Sequence, residues 1–355
     1  MHARSLGRLA LSMERRDVRV STASQLRPFA LVAGWEQLPD DIVHLDVADV
    51  AVDADDNVFV LARKEPAVIV YDADGRFLRT WGAQVLSNRP HAITISPEGT
   101  VYVVDEGSHV VRLFSPEGGE RGLIGTPGAA SETGVDSSNP SLYHRIQSIE
   151  RGAGPFNRPT KVAFAPSGDI YVSDGYGNAR IHQFTGDGVL LRSWGEPGSG
   201  PGEFNLPHCV SVLSDGRVLV SDRENDRLQV FTPEGGFIEE WPGLQRPTAT
   251  TIGPDGLVYV LESGLWKGDV SIARGTMEED LAPRVSIFDD RGTLLERWGN
   301  VGDDPCRPGN LVAPHGLCID SRHHLYIAEV THTSRSRRGR DADDGHTLQK
   351  FARVS

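Results

Sequence analysis

The stretch Pro90–Gly125, PHAITISPEGTVYVVDEGSHVVRLFSPEGGERGLIG, decides the fold. It holds four short apolar runs: one opening on Pro-His, then VYVVD, then VVRLF, then a last run after a second Pro-Glu-Gly turn. Runs of about five residues rich in Val, Ile, Tyr and Phe, cut by Gly and Pro, specify strands rather than helices. The same block recurs from Val47 (VADVAVDADDNVFVLARKEPAVIVYDADGRFLRTWG), Pro159 (PTKVAFAPSGDIYVSDGYGNARIHQF), Pro207 (PHCVSVLSDGRVLVSDRENDRLQVF), Pro247 (PTATTIGPDGLVYVLESG) and Pro314 (PHGLCIDSRHHLYIAEVTHT). A period of about 40 residues with four strands per unit predicts an all-β, six-bladed β-propeller.

The ends of the chain predict how the ring closes. The sixth repeat stops near Phe351 without the fourth strand that finishes in Trp-Gly elsewhere, and FALVAGW at Phe29–Trp35 resembles that strand. An N-terminal strand completing the last blade leaves no open sheet edge. Residues 29–355 are therefore read as one propeller. Residues 1–28, Arg-rich and without an apolar run long enough for a signal-peptide core, are read as a disordered leader or as an upstream start-codon artefact.

Repeats two, four and six open on Pro-His, placing His91, His208 and His315 at equivalent positions in alternate blades, with Thr160 and Thr248 between them. In a closed six-membered ring such positions lie about 120° apart, so three imidazoles converge on one axis and form a three-coordinate metal site with an open position. The other histidines lack the pattern. Within a blade the second strand runs antiparallel to the first, so the end of the second strand shares a face with the Pro-His pairs. That places Arg63, Asp105, Asp174, Tyr176, Asp222, Arg223, Glu262 and Glu329 on one rim. Asp105, Asp174 and Asp222 among them are expected to cap the turns that follow.

Composition narrows the function further. With 49 Asp plus Glu against 36 Lys plus Arg, the chain is a poor general binder of nucleic acid. No stretch is long and apolar enough to cross a bilayer. Cys209, Cys306 and Cys318 show no metal-ligand spacing and read as reduced core or loop residues, with the cytoplasm as the default compartment. Two insertions interrupt the repeat, Thr126–Arg158 and Leu265–Pro283; the first is read either as a lid or as an idle surface loop. SRSRRGR at Ser334–Arg340 reads as a solvated, mobile loop in the sixth blade.

DGYGNARI from Asp174, WGEPGSGPGEFNLPH from Trp194 and SDRENDRLQVF from Ser221 together resemble the NHL-repeat propeller of the peptidyl-α-hydroxyglycine α-amidating lyases (peptidylamidoglycolate lyases), over roughly Trp35–Phe351. The resemblance implies a zinc ion on His91, His208 and His315, an active-site tyrosine at Tyr176, and substrate-facing arginines at Arg63 and Arg223. It also implies a structural calcium held by backbone carbonyls matching Val50 and Ile93 and by an Asp directly after the third histidine. That last position is Gly316 here, so one expected calcium ligand is missing. Gly177 stands where secreted members carry a disulfide-forming Cys, which agrees with a reducing compartment.

The implied activity is cleavage of the C–N bond of an α-hydroxyglycine-like N-acyl hemiaminal to an amide and glyoxylate. Zinc would polarise the substrate hydroxyl, Tyr176 would take its proton once the phenol's ordinary pKa of roughly 10 is lowered, and Arg223 would fork onto a carboxylate. The expected partner is a small molecule or peptide with such an end, bound by a monomeric ring. Two other readings stand beside this one: a calcium-dependent propeller lactonase, which would use carboxylate and Asn ligands, and a non-catalytic NHL scaffold that binds on its rim without metal.

Overall fold

A computed structural model describes residues 28–64, 67–302, 304–339 and 345–354. The expected leader lies outside the described residues except for Pro28. Six four-stranded antiparallel sheets follow one another around a ring, five of them with their strands in chain order from the centre outward and the sixth with an N-terminal strand outermost. The innermost strands are Val47–Val52, Pro90–Ile95, Pro159–Phe164, Pro207–Val212, Pro247–Ile252 and Pro314–Ile319. Second strands such as Val101–Asp105 and Val218–Asp222 are buried throughout, whereas the outer Phe77–Trp81 alternates between half-buried and exposed residues. Burial on both faces explains why the inner strands read as continuous apolar runs.

The core is divided into six apolar clusters, one between each pair of neighbouring blades. The cluster between blades six and one joins Tyr326 and Ala328 to Val50, Val58 and Tyr71, so the ring is closed by packing. It is also closed by hydrogen bonding. Phe29–Leu31 pairs antiparallel with Leu348–Arg353, in the register Phe29 with Arg353 and Leu31 with Phe351. The closing strand is three residues long rather than the seven of FALVAGW, because the chain turns at Gly34 (φ +67°) and sends Trp35 back onto Tyr71 and Tyr326 at ring distances of 5.6 and 5.2 Å.

The recurring Trp-Gly and Asp/Glu-Gly signals turn out to belong to one contact. Gly118, in the left-handed region at φ +89°, lies flat on the indole of Trp81 from the preceding blade, and a β-carbon there would overlap it. Gly235 meets Trp194 and Gly292 meets Trp241 in the same way. Each outer-strand tryptophan thus packs under the turn of the next blade, where only glycine allows both the backbone conformation and the approach.

The basic segment of blade six differs from expectation. Thr331–Ser336 is a short helix rather than a loop, held at its start by Asp46, whose carboxylate accepts from the Thr333 N–H at 3.0 Å and from its hydroxyl. Arg338 then reaches Asp269 of the blade-five insertion at 3.3 Å.

Candidate functional site

In every blade the ladder between first and second strands skips one residue, the one after the opening position: His91 is passed over between Pro90 and Ala92, His208 between Pro207 and Cys209, His315 between Pro314 and Gly316. The same shift occurs at Ala48, Thr160 and Thr248. A bulged residue is released from the ladder and its side chain re-aimed; here all six turn to the central channel. The bulge also frees a carbonyl. His91 Nδ1 donates to Thr160 O at 2.7 Å, His208 Nδ1 to Thr248 O at 2.6 Å, and His315 Nδ1 to Ala48 O at 2.7 Å, each in the next blade round the ring.

A carbonyl oxygen only accepts, so each Nδ1 carries the proton and each Nε2 presents a lone pair. The three imidazole centroids form a near-equilateral triangle with sides of 4.8, 4.8 and 4.9 Å. Burial is the main cause holding all three pKa values well below the ordinary histidine value; the neighbouring imidazole of His315, which would repel a second charge, and the Arg63 guanidinium add to it for His91, Arg223 for His208, and Arg63 for His315. The rings are therefore neutral, the form that binds metal. Among the described residues this is the group of histidines, cysteines and carboxylates able to hold a metal ion, with ligand atoms within 4.8 Å of one another. His91 Nε2 is buried with no protein partner, and beside the triangle lies a cavity of about 10 Å³, room for one water-sized particle. The donor set fits a zinc ion.

The predicted companions converge on the same point. Tyr176, buried, places its hydroxyl 3.0 Å from His208 Nε2. Arg63 Nη2 is 3.3 Å from His315 Nε2. Arg223 donates from Nη1 to the Tyr176 hydroxyl at 3.3 Å and from Nε to Glu224 at 2.8 Å, while its Nη2 is buried without a partner. Arg63 and Arg223 occupy equivalent places just past the second strands of blades one and four: the Arg63 N–H donates to Asp46 O and the Arg223 N–H to Leu206 O.

The rim carboxylates are scaffold, although they accept no backbone N–H from the turns that follow them; Asp174 and Asp222 hold those turns only through the side-chain amides of Asn178 and Asn225. They reach back to the loop entering their own blade: Asp174 accepts from the Asn157 N–H, Asp222 from Asn205, Glu262 from Gln245 and Glu329 from Val312. Asp105 does the same with Ser87.

Several neighbours of the site had no sequence signal. Glu224, clamped between Arg223 and Arg246, has its carboxyl pKa pushed down to about 2, burial being overridden by the two guanidinium groups. Arg158 lies 5.9 Å from the Tyr176 ring centre and pairs with Glu106 at 2.6 Å. The first insertion is not idle. Its helix Leu142–Gln147 packs Ile146 against Tyr176 and Leu206, walling one side of the site.

The calcium position does not fit a cation. Lys161 Nζ donates to Ile93 O, one of the two expected carbonyl ligands, at 3.1 Å and also bonds the Asp49 carboxylate. An ammonium group already stands where calcium would bind, and Gly316 supplies no carboxylate.

Comparison with known proteins agrees with this architecture. The NHL repeat model matches residues 156–184 and 204–231, which lie in blades three and four. NHL repeat-containing protein 3 of Homo sapiens is 32% identical over 322 residues, covering 85% of this chain and 81% of that one. Peptidyl-alpha-hydroxyglycine alpha-amidating lyase 2 of Drosophila melanogaster is 28% identical over 275 residues, covering 75% of this chain and 58% of that one. A streptogramin B lyase structure superposes with a TM-score of 0.53 at 14% identity over 88% of this chain and 94% of that one, a likeness of fold alone. Among the described residues no helix is long and apolar enough to cross a membrane. With six blades closed in a ring and these relatives matched along most of its length, the chain belongs to the NHL-repeat propeller family of NHL repeat-containing protein 3 and is homologous to the peptidyl-α-hydroxyglycine α-amidating lyases.

Proposed function

We propose that this protein is a zinc-dependent carbon–nitrogen lyase that cleaves an N-acyl-α-hydroxyglycine to a primary amide and glyoxylate. The observation that carries the reading is the convergence of three Nε2 lone pairs on the Tyr176 hydroxyl and the Arg63 and Arg223 guanidinium groups, in a chain homologous to amidating lyases. Three neutral imidazoles with an open position are a catalytic zinc set, and the bound ion would polarise the substrate hydroxyl as a Lewis acid.

The protein's own groups do the rest. Arg223 Nη2, the one nitrogen of that guanidinium buried without a partner, donates to the substrate carboxylate. Tyr176 enters as the phenolate and takes the hydroxyl proton as a general base, with Arg223 Nη1 donating to its oxygen to stabilise the negative charge before the transfer. The electron pair left on oxygen closes the aldehyde carbonyl as the C–N pair departs to nitrogen. Tyr176 returns the proton to that nitrogen, so atoms and charge balance. Arg63 stabilises negative charge developing at oxygen, and Ile146 together with Leu206 holds the Tyr176 ring in place.

The test is to supply zinc-replete protein with α-hydroxyhippurate and follow glyoxylate release alongside zinc content. About one zinc per chain with glyoxylate formed is the expected result. Zinc bound but no glyoxylate would shift the reading to another hydroxylated substrate, and no zinc would leave a binding scaffold.

A further inference from the structure

One residue further along each inner strand lies a second channel layer: Asp49, Ala92, Lys161, Cys209, Ala249 and Gly316. We infer that in this layer Lys161 takes the place of a bound metal cation, so that the ring carries its central positive charge covalently and needs no calcium to hold its blades together. This inference is independent of the proposed lyase activity.

Three observations support it. The first is position: Lys161 Nζ bridges blade one and blade two, bonding Asp49 on one side and Ile93 O on the other, while Asp49 Oδ2 also accepts the Ile93 N–H at 3.0 Å. A lysine from blade three thus ties the two preceding blades together, as a shared cation would by bonding oxygens from both.

The second is where the carboxylate stands. A β-carbon on residue 316 would stand 2.5 Å from Asp49 Cα and 3.0 Å from Ala48 O. No side chain fits at 316 against the backbone of blade one, so residue 316 cannot supply a carboxylate to this layer. The layer's negative charge stands on blade one, at Asp49, where it meets the ammonium. Asp49 Oδ1, the oxygen facing Gly316, has no protein partner, and the ammonium bonded to the other oxygen repels a second cation that would approach it.

The third is space. One cavity of about 10 Å³ is lined by both layers, from His91, His208 and His315 to Asp49 and Lys161. It holds one small particle. An ion held by the histidines would fill it, and beside the Lys161 ammonium a calcium ion with its six to eight oxygen ligands has no room. Burial lowers the Lys161 pKa, and Asp49, helped by Cys209 and Cys318, turns the net direction upward.

The experiment is equilibrium dialysis against radioactive calcium together with thermal melting, on the zinc-replete full chain. Wild type is expected to retain no calcium at about 1 mM, a concentration that fills even weak calcium modules, and to melt at the same temperature with or without it. Lys161→Ala is expected to melt about 5 °C or more lower, to bind about one calcium per chain through Asp49 and Ile93 O, and to recover part of the loss when calcium is added. Lys161→Met/Asp49→Asn, which removes both charges, is expected to ignore calcium. Stoichiometric calcium on wild type overturns the inference, as does a Lys161→Ala protein that melts like wild type or falls without a calcium response. Should Lys161→Ala not fold, the dialysis of wild type and the double variant still decides.

Discussion

The histidine layer and the lysine layer of the channel are neighbours on the same six strands, one residue apart, and they use charge in opposite ways. In the histidine layer the pattern is threefold: imidazoles in blades two, four and six, with Ala48, Thr160 and Thr248 between. Each ring spends its proton on a carbonyl of the next blade and leaves a lone pair facing the centre. In the lysine layer the threefold pattern is gone. One ammonium and one carboxylate answer each other across the channel, and the ammonium bonds both Asp49 and Ile93 O. A site that acts on something from outside gathers neutral lone pairs and free donors at one point, such as His91 Nε2 and Arg223 Nη2; the structural pair shows itself by opposite charges bonded directly to each other, although Asp49 Oδ1 has no protein partner.

If the two layers divide their work this way, substitutions should separate metal loss from stability loss. The largest effect is expected from the histidines: His91→Ala, His208→Ala or His315→Ala should lose zinc by elemental analysis and about 10⁴-fold in glyoxylate release, some 5.5 kcal/mol of barrier. Their unfolding free energy should change far less than their activity.

Lys161→Met should do the reverse. It leaves the Asp49 charge buried and unpaired, a loss of about 3–5 kcal/mol in denaturant melts, with zinc content kept near one per chain. Equal loss of zinc in both classes would merge the layers into one site.

Tyr176→Phe sharpens the upper layer alone. Zinc should remain while kcat falls about 10²–10³-fold, the scale of a lost proton-transfer group; an unchanged kcat would remove Tyr176 from the chemistry and leave it as packing against Ile146.

The smallest effect concerns the support behind Arg223. Glu224 is held at about 2 against 4.5 for a free glutamate, so its stabilising contribution is present above pH 4.5 and is lost as the pH falls toward 2. That contribution is on the order of 3 kcal/mol. Glu224→Gln should therefore be less stable than wild type at neutral pH, and the two stability curves should converge in acid; parallel curves would show that Glu224 stabilises nothing by its charge.

Most of the ring was legible because turn chemistry repeats. Gly118 and Trp81 recur as a pair in the sequence because they touch in the fold, and the Pro-His spacing carried the triangle. The bulge was not legible: strict alternation would leave His91 in the ladder beside Ala92, and only the pairing shift shows why it points inward. The carboxylates were placed on the correct face but given the wrong partners, since the antiparallel return that brings Asp222 to the start of its blade also brings it to Asn205 in the entering loop. Within the first insertion Ile146 was not legible, because it reaches Tyr176 only once Leu142–Gln147 forms a helix and turns one face to the site. SRSRRGR was read from its charge, whereas the helix there begins at Thr331 and is anchored by Asp46, far away in sequence. The Lys161–Asp49 pair spans 112 residues and becomes visible only when the six blades are stacked and read down a column.

The carbonyls that receive the three Nδ1 protons give the ring the character of a drawstring. Each of the three histidines is laced across a seam to the following blade, so three of the six seams end at the proposed metal site. A seam that slackens anywhere along its depth, for instance where Phe156 and Phe184 fill the space between blades two and three, moves a ligand by way of Thr160 without any residue near the centre being altered. Mutations scattered through the outer packing of alternate seams should therefore weaken metal affinity in a threefold rhythm around the ring, while those in the intervening seams cost only stability.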